Sequence, residues 1–393
     1  MTKDVGVVLA GLGEAPPSPG GSGRSGEAMT LTAIEAACDD AGLATTGIDA
    51  ILKYSHDASI SLQALAATLR CEELRFGLEG GSGGGTGPGL IDTARTLVAS
   101  GAASAVLCYR TIVGNDWVAR MNMPDEARPY YLDVVNYLRP VGWTGYLHSF
   151  ASLYSEHAAR YGTSREALGH VVSQLRANAA RNPHAACREP LSLEEYMSQP
   201  PQIGPFSQLD DFAIGDVAVA VVVTTAERAR QLGRQRVVAE VVATAQSHNA
   251  QPMTWFENRV LASTQESPAR HVADELYRRS GLTPKAVDVA HLYDCTSFTF
   301  LHNLEEARLC ERGDAARLVA EPGSLAADGL RPANTNGGDL AGGYSHGFRH
   351  LLEAARQVSG RAHNQVAKAE TALVMGAQIG PTSGAILRRR EIA

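Results

Sequence analysis

The chain has 393 residues, 44% of them hydrophobic and 20% charged, so it is long enough to form two core-building units. Its formal net charge of −7 gives no reason to expect nucleic acid or an anionic membrane as a partner. The six cysteines lack zinc-site spacing, and without a secretory signal they indicate a reducing cytoplasm. No apolar segment approaches the ~20 residues that cross a bilayer, so we expect a cytoplasmic protein.

Strands and helices alternate along the chain from the start. The apolar run Val5–Ala10 predicts a strand, and a loop rich in glycine, proline and serine follows at Gly11–Gly26. The next predicted elements are helix Met29–Ala41, strand Ile48–Tyr54, helix Leu62–Leu69, helix Leu90–Ser100 and strand Ala103–Leu107.

A glycine-rich loop lies in the middle of this run, at Gly80–Gly89. It leads into a helix, whose first backbone N–H groups and dipole stabilise an anion. A nucleophile is common at such a place, but this loop offers only Ser82, Thr86 and glycines. Its backbone N–H groups, including those of Gly83 and Gly84, are candidate oxyanion donors.

The segment 112–146 interrupts the alternation with an aromatic insertion. A loop of this length is usually functional, so we expect either a lid over a ligand or an interface. Its aromatic residues are Trp117, Tyr130, Tyr131, Tyr137, Trp143 and Tyr146.

Alternation resumes after the insertion and implies mixed sheets covered by helices, an α/β architecture. The further predicted elements are helices Phe150–Arg160 and Ser164–Asn178, strands Val217–Val223 and Val237–Ala243, helix Ser267–Arg279, strand Val287–Tyr293, a helix from Ser297, helix Phe348–Val358 and strand Thr371–Met375. At the C-terminal end we interpret the basic run Arg388–Arg390 as a solvated tail.

A second glycine-rich loop, Asn334–Tyr344, again precedes a helix and a strand. The same loop–helix–strand arrangement therefore occurs twice, roughly 250 residues apart. Such spacing predicts a duplicated domain rather than a solenoid, whose repeats are about 20 to 50 residues long. We predict an N-terminal half at 1–235 and a C-terminal half at 236–393, with their glycine loops at one shared pocket.

The order of these motifs resembles the thiolase superfamily. The motifs are the first glycine loop, NPHA at Asn182–Ala185, LYD at Leu292–Asp294, and NTNGGDLAGGYSHG from Asn334 to Gly347. The chain is most similar to the lipid-transfer-protein branch, which is related to sterol-carrier-protein-X thiolases. The resemblance implies a five-layered αβαβα fold of two duplicated halves with the active site between them.

The departures from thiolase chemistry indicate a different reaction. The position of the acyl-accepting cysteine falls on Gly83 or Gly84, and the second cysteine's turn reads Met375-Gly376. Tyr344 stands where thiolases have a catalytic histidine. Without a thiolate the chain has no ready nucleophile for a covalent acyl intermediate.

Two tyrosines replace the usual catalytic side chains, Tyr293 in LYDC and Tyr344 in GGYSHG. This pair resembles the acyl-CoA aldolases of steroid side-chain degradation, which cleave a β-hydroxyacyl-CoA by a retro-aldol reaction. One phenol would take the proton of the alcohol and the other would protonate the enolate carbon. Lowering a phenol pKa from about 10 to 7 requires about 4 kcal/mol, part of which a cationic His346 could supply.

Several further residues have more than one possible role. Asp294 either orients Tyr293 or caps the next helix, and His346 holds the thioester oxygen, tunes Tyr344 or faces solvent. Cys295 is a stray nucleophile or a packing residue. The remaining candidates are Asn334, Gly337 and Gly338 in the second loop, where Asn334 braces the backbone, and His56 and His148 as pocket or core histidines.

Three classes of function remain open. The leading one is an acyl-CoA aldolase acting on a coenzyme A thioester, with no metal and no cofactor bound by this chain. The others are an acyltransferase or condensing enzyme that works without cysteine, and a non-catalytic binding subunit. The resemblance also implies a homodimer and a small OB-fold partner with a zinc ribbon, in a two-plus-two complex.

Overall fold

A computed structural model describes residues 6–55, 59–81, 83–114, 140, 142, 146–233, 236–248, 263–377 and 382–392. Its strands form one mixed sheet with the lateral order β3-β2-β4-β5-β1-β6-β9-β8-β7. The strands are β1 (Val7–Ser18), β2 (Ala50–Lys53), β3 (Phe76–Glu79), β4 (Ala105–Ile112), β5 (Asp216–Thr225), β6 (Arg236–Ser247), β7 (Val289–Leu292), β8 (Thr371–Ala377) and β9 (Thr382–Ile392).

The strand order contains one arrangement twice. In the first half β2 pairs parallel with β4, β4 antiparallel with β5, and β5 antiparallel with β1. In the second half β7, β8, β9 and β6 pair in the same sequence of directions. The halves join where Val8 and Leu9 of β1 pair with Glu240 and Ala239 of β6. This repetition supports the predicted duplication, whereas the boundary between residues 235 and 236 stays a prediction.

The two halves of the sheet count as the two β layers of the predicted fold, and helices supply the other three layers. Helices α3 and α12 contact strands of both halves, whereas α1 packs on β1, β4 and β5, and α8 packs on β6 and β9. The predicted αβαβα arrangement is therefore confirmed. The described helices are α1 (Gly26–Ala41), α2 (Leu62–Leu69), α3 (Gly87–Ser100), α4 (Tyr146–Tyr161), α5 (Arg165–Ala180), α6 (Leu193–Ser198), α7 (Ala226–Gln231), α8 (Ala269–Ser280), α9 (Ser297–Glu306), α10 (Ala315–Ala320), α11 (Gly338–Ala341) and α12 (Phe348–Ser359).

Strand β5 shows why the sheet is so apolar. Val219 and Val221 lie in the core that contains α3. Ala220 and Val222 point to the opposite face, into the core that contains α1. A strand covered by helices on both faces has a continuous hydrophobic run rather than an alternating one, as its sequence indicated.

The C-terminal prediction is wrong, because the basic run lies in strand β9 and not in a solvated tail. Arg388 and Arg390 both form ion pairs with Glu240 on the neighbouring strand, and Glu240 is buried. The first strand is also longer than predicted, since Val7–Ser18 includes part of the expected loop. Among the described residues, no helix is long and apolar enough to cross a membrane.

Candidate active site

Tyr293 lies directly after β7, and its backbone is held on several sides. Its N–H donates to the carbonyl oxygen of Met375 at 3.0 Å, and its own carbonyl accepts from Asn303 Nδ2 at 2.8 Å. The preceding residue, Leu292, is held by the side chain of Asn334. Its N–H donates to Asn334 Oδ1 and its carbonyl oxygen accepts from Asn334 Nδ2, both at 2.8 Å. The phenol ring is therefore fixed at the strand end, where it is fully buried.

Tyr344 lies in the turn between α11 and α12, and it is anchored by the segment before β5. Its N–H donates to the carbonyl oxygen of Ala213 at 3.0 Å. Its ring stacks on Phe212, with centroids 3.7 Å apart and the planes inclined by 15°. Packing on both backbone and ring holds the side chain in one orientation, as a group that transfers protons requires.

The two predicted tyrosines meet although they are 51 positions apart. Their hydroxyl oxygens lie 3.3 Å apart, and both side chains are buried. Burial raises the pKa of each phenol well above 10, and the neighbouring Cys295 thiol raises both further. Both hydroxyl groups are therefore protonated at neutral pH.

Gly84, in the first glycine loop, lies against the Tyr293 ring. A β-carbon on Gly84 would lie 2.5 Å from Cδ1 and Cε1 of that ring. The backbone of Gly347 is also close, since its β-carbon would lie 3.2 Å from Tyr293 Cδ2. The ring therefore fills the space in front of Gly84, one of the two positions predicted to correspond to the acyl-accepting cysteine of thiolases.

His346 is buried beside the pair, and its surroundings contradict a cationic state. Its ring centroid lies 4.8 Å from that of Tyr344, and its Nδ1 lies 2.9 Å from NH2 of Arg110. A guanidinium has only donors, so Nδ1 must accept and cannot also carry a proton. The hydroxyl of Tyr54 donates to the His346 carbonyl at 3.2 Å. Its φ of +56° is uncommon for a residue with a side chain and marks a constrained position.

Asp294 acts on the second loop instead of on Tyr293. Its Oδ1 accepts from the N–H of Asp339 at 2.8 Å and from Nε2 of His350 at 2.9 Å. Its Oδ2 accepts from the N–H of Leu340 at 3.3 Å. Neither predicted role is found, because these contacts cap the distant helix α11 and not α9. The geometry assigns Asp294 to holding the loop.

Asp339 continues this network to the residues around Tyr344. Its carboxylate accepts from the N–H groups of Ser345 at 3.2 Å and Gly347 at 2.9 Å. Burial raises the pKa of Asp339, whereas the bond to Asp294 raises that of His350 against the opposing effect of its own burial. Ligand atoms of these three groups lie within 4.8 Å of one another, as in a metal site. Backbone N–H groups already occupy the carboxylate oxygens, so the trio fits a structural role.

Several predicted oxyanion donors are already engaged. The N–H of Gly80 donates to Lys53 O at 3.0 Å, and that of Gly337 donates to Asn334 O at 2.9 Å. The N–H of Gly338 donates to Asn336 Oδ1 at 3.1 Å. These predictions are therefore corrected, because the loops use these groups to hold their own shape. Gly83 and Gly84 remain candidates.

The positions of the other predicted residues say less about their roles. Cys295 is buried with Sγ 3.6 Å from Thr299 Oγ1, which fits a packing role. His148 is half-buried on α4, and its pocket role stays a prediction. Ser82 and His56 lie outside the described residues, as does most of the aromatic insertion predicted at 112–146, namely residues 115–139, 141 and 143–145.

A cavity of about 540 Å³ lies beside Phe212, whose ring stacks on Tyr344. The wall is mostly apolar, with one buried polar pair in which Tyr146 donates to Asp211. Burial raises the pKa of Asp211 to about 6 despite that bond. Its apolar lining includes Val172, Ile214, Leu340 and Ala341.

Two contributors to the site were missed in the sequence. Arg110 lies in the strand AVLCYRTI, which is buried throughout. A charged residue in such a strand is a signal of function that the sequence contained. Phe212 carried no comparable signal, because an aromatic residue before a strand is ordinarily read as core.

The comparisons with known proteins agree with this geometry. Residues 245–387 match the family model described as "Thiolase C-terminal domain-like". A steroid side-chain-cleaving aldolase of Thermomonospora curvata is 31% identical over 97% of both chains. A 17-hydroxy-3-oxo-4-pregnene-20-carboxyl-CoA lyase of Mycobacterium tuberculosis is 31% identical over 97% of this chain and 98% of its own. The chain belongs to the thiolase superfamily, in its aldolase branch.

A solved structure extends this match to three dimensions. The Ltp2-ChsH2(DUF35) aldolase is 31% identical, covers 99% of both chains and superposes with a TM-score of 0.87. The acetyl-CoA acetyltransferase of Syntrophomonas wolfei superposes with a TM-score of 0.66 at 15% identity, so it shows the fold alone. The predicted family, fold and carbon–carbon lyase class are confirmed.

Proposed function

We propose that this thiolase-superfamily member is an acyl-CoA aldolase that cleaves a β-hydroxyacyl-CoA through the Tyr293–Tyr344 pair. The observation that carries the proposal is the 3.3 Å separation of two buried phenol oxygens contributed by two different motif loops. A retro-aldol reaction removes a proton from an alcohol and delivers one to a carbon. Two adjacent hydroxyl groups can perform both transfers.

The high pKa values of both phenols favour a relay in which neither is ionised at rest. The alcohol proton passes to Tyr344 while Tyr344 passes its own proton to Tyr293, and Tyr293 protonates the α-carbon. The bond between the α- and β-carbons breaks, the alcohol becomes a ketone or aldehyde, and a shorter acyl-CoA leaves. Both phenols end protonated, so the cycle needs no separate oxidant or base.

The enolate that forms in this reaction concentrates negative charge on the thioester oxygen. The Nε2–H of His346 and the backbone N–H groups of Gly83 and Gly84 are the proposed donors to that oxygen. Fixed donors contribute more inside a buried site than in water, because the surrounding dielectric is low. His346 adjoins Tyr344, and Gly84 adjoins Tyr293, so the donors flank the pair.

The acyl group is proposed to lie in the cavity beside Phe212. Its volume of about 540 Å³ is in the range of small-molecule sites, and its apolar wall suits a hydrocarbon. Arg176 at the wall and Asp211 with Tyr146 offer polar contacts to an oxygen substituent. Coenzyme A is the carrier of the substrate, and we propose no cofactor resident in this chain.

The aldolase is further proposed to work as a homodimer with a small OB-fold protein that carries a zinc ribbon. The supporting observation is the similar aldolase whose structure pairs Ltp2 with ChsH2(DUF35). Light scattering of the purified chain, alone and with such a partner, tests this arrangement. A monomer that is fully active alone at micromolar concentration would contradict it.

Turnover in D₂O tests the reaction itself. A β-hydroxyacyl-CoA with a tertiary alcohol should give a ketone and a shortened acyl-CoA that carries one deuterium at its α-carbon. The acyltransferase alternative instead requires exchange of the acyl group with free coenzyme A. Acyl exchange without a carbonyl product would overturn the aldolase proposal.

A further inference from the structure

Arg110 is a charged side chain at the centre of the protein. It lies on the central strand β4, between β2 and β5, with 1% of its surface exposed. Its guanidinium lies 4.9 Å from the centroid of the Tyr54 ring, and its NH2 reaches Nδ1 of His346 at 2.9 Å. A buried charge is costly to maintain, so its placement beside the tyrosine pair calls for a function.

The contact with His346 determines where that imidazole holds its proton. A guanidinium group has only N–H donors and no acceptor. Nδ1 of His346 must therefore be the acceptor, and the single ring proton resides on Nε2. A second proton on the ring would remove the hydrogen bond and place two cations in contact.

We propose that Arg110 is a positioning residue that locks His346 in its neutral Nε2–H form, as the hydrogen-bond donor to the thioester oxygen. The inference rests on the proposed aldolase function for the identity of that oxygen. The lock itself depends only on the Arg110–His346 contact.

The rest of the surroundings fixes the same ring. Tyr54 holds the carbonyl of His346 and stacks on its ring, with centroids 6.0 Å apart. Asp339 on α11 holds the next residue, Gly347, by its N–H. Contacts from the end of β2, from β4 and from α11 thus fix the position of the His346 ring. Arg110 determines which of its two nitrogens carries the proton.

The titratable and charged groups around His346 are consistent with a neutral ring. Arg110 faces it from β4, Tyr54 from the end of β2, Tyr344 from its own loop, and Asp339 from α11. The charge of Arg110 also lowers the pKa of Tyr344, against the larger effect of burial. One buried cation therefore fixes the donor and also eases release of the Tyr344 proton to Tyr293 in the proposed relay.

Nitrogen NMR of ¹⁵N-histidine-labelled protein tests the lock without measuring activity. The His346 signals are identified by their loss in His346→Asn. In the parent protein they should show the Nε2–H tautomer and no titration between pH 5.5 and 8. A proton on Nδ1, or on both nitrogens, in the folded parent would overturn the proposal even if no Arg110 variant could be purified.

Variants of Arg110 test the consequence for turnover. Arg110→Met keeps an unbranched chain but removes the donors, so Nδ1 of His346 should become able to take a proton. We expect kcat to fall at least tenfold and to acquire an acidic limb that the parent lacks. Arg110→Lys should restore most of kcat and the tautomer, because an ammonium group also donates to Nδ1.

Tyr54→Phe is the matched control, since it removes the bond to the His346 backbone but leaves the Arg110–ring contact. Its tautomer should be that of the parent. Unchanged tautomer and pH profile in Arg110→Met would refute the lock. If Arg110 does not fix the tautomer but turnover still depends on Tyr344, the lock is wrong and the proposed function stands. If the tautomer is fixed as proposed but the protein has no aldolase activity, only the proposed function is refuted.

Discussion

The ring of Tyr293 occupies the space that any side chain on Gly84 would need, because a β-carbon there would lie 2.5 Å from two ring atoms. Real β-carbons do not approach other atoms so closely. In the thiolases that this chain resembles, the corresponding loop carries the acyl-accepting cysteine. Glycine in one loop and tyrosine in the other are therefore sterically linked, and the exchange replaces a nucleophile with a phenol.

Gly84→Ala should lose both stability and activity. The added methyl group must displace the Tyr293 ring, and overpacking of this kind costs about 1 to 3 kcal/mol. Chemical denaturation should show that loss in the parent background and a much smaller one in the Tyr293→Ala background, where the ring is absent. Equal losses in both backgrounds would show that another contact limits residue 84.

Tyr293→Phe and Tyr344→Phe should each lower turnover of a β-hydroxyacyl-CoA at least a hundredfold. The ring and its packing remain, but general acid–base groups contribute about 10²- to 10⁴-fold, or roughly 3 to 5 kcal/mol. Melting temperatures should change little. The double variant should lose far less than the product of the single effects, because both phenols act in one relay.

Ser82→Ala serves as the comparison for these two variants. It removes the hydroxyl of the first glycine loop and keeps the backbone N–H, so turnover should stay near that of the parent. If Ser82→Ala abolished turnover while both phenylalanine variants stayed active, the tyrosine relay would be wrong.

Incubation with acetyl-CoA or acetoacetyl-CoA should leave the intact mass of the protein unchanged. The buried Cys295 thiol packs on Thr299, and the first glycine loop contains no cysteine. Mass spectrometry of the whole chain and of its peptides measures the result. An acetyl group on Ser82 or Cys295 would favour the acyltransferase reading.

Asp211 should give the protein a measurable pH dependence. Burial raises its pKa to about 6 in the folded state, above the ~3.9 of an unfolded chain, so the folded state binds more protons between these values. This group therefore destabilises the fold as pH rises through that window, by up to about 3 kcal/mol at two pKa units. Asp211→Asn keeps an acceptor for Tyr146 and carries no charge.

The measurement is chemical denaturation of parent and Asp211→Asn between pH 4.5 and 7.5. The stability of the variant relative to the parent should increase with pH and level off above about pH 6. A constant difference would mean that Asp211 is already ionised throughout that range.

A large residue at the cavity wall should affect long acyl groups selectively. Ile214→Trp is expected to raise KM for a bulky β-hydroxyacyl-CoA at least tenfold and to change that of a short one little. Ile214 lines the cavity but is only partly buried, so the fold should tolerate the change. Leu330→Trp, at a residue that is 74% exposed, is the control. Equal effects on both substrates would place the acyl group elsewhere.

The sequence by itself determined the family and predicted that Tyr293 and Tyr344 form the reactive pair. The glycine loops, the LYD motif and the missing cysteines can be read in order along the chain, because backbone turns and nucleophiles require particular residue types. The buried strand β5 could also be read, since both of its faces are apolar. Tyr293 and Tyr344 stood out as replacements at known positions.

Only the tertiary structure decided the charges and contacts around that pair. Arg110 and His346 are 236 positions apart, and no local pattern shows that the guanidinium binds Nδ1 and excludes a cationic ring. The basic run at residues 388–390 looked solvated until Glu240 was found on the next strand. Protonation and ion pairing depend on distance and burial, which arise when remote segments pack together and which residue order alone does not specify.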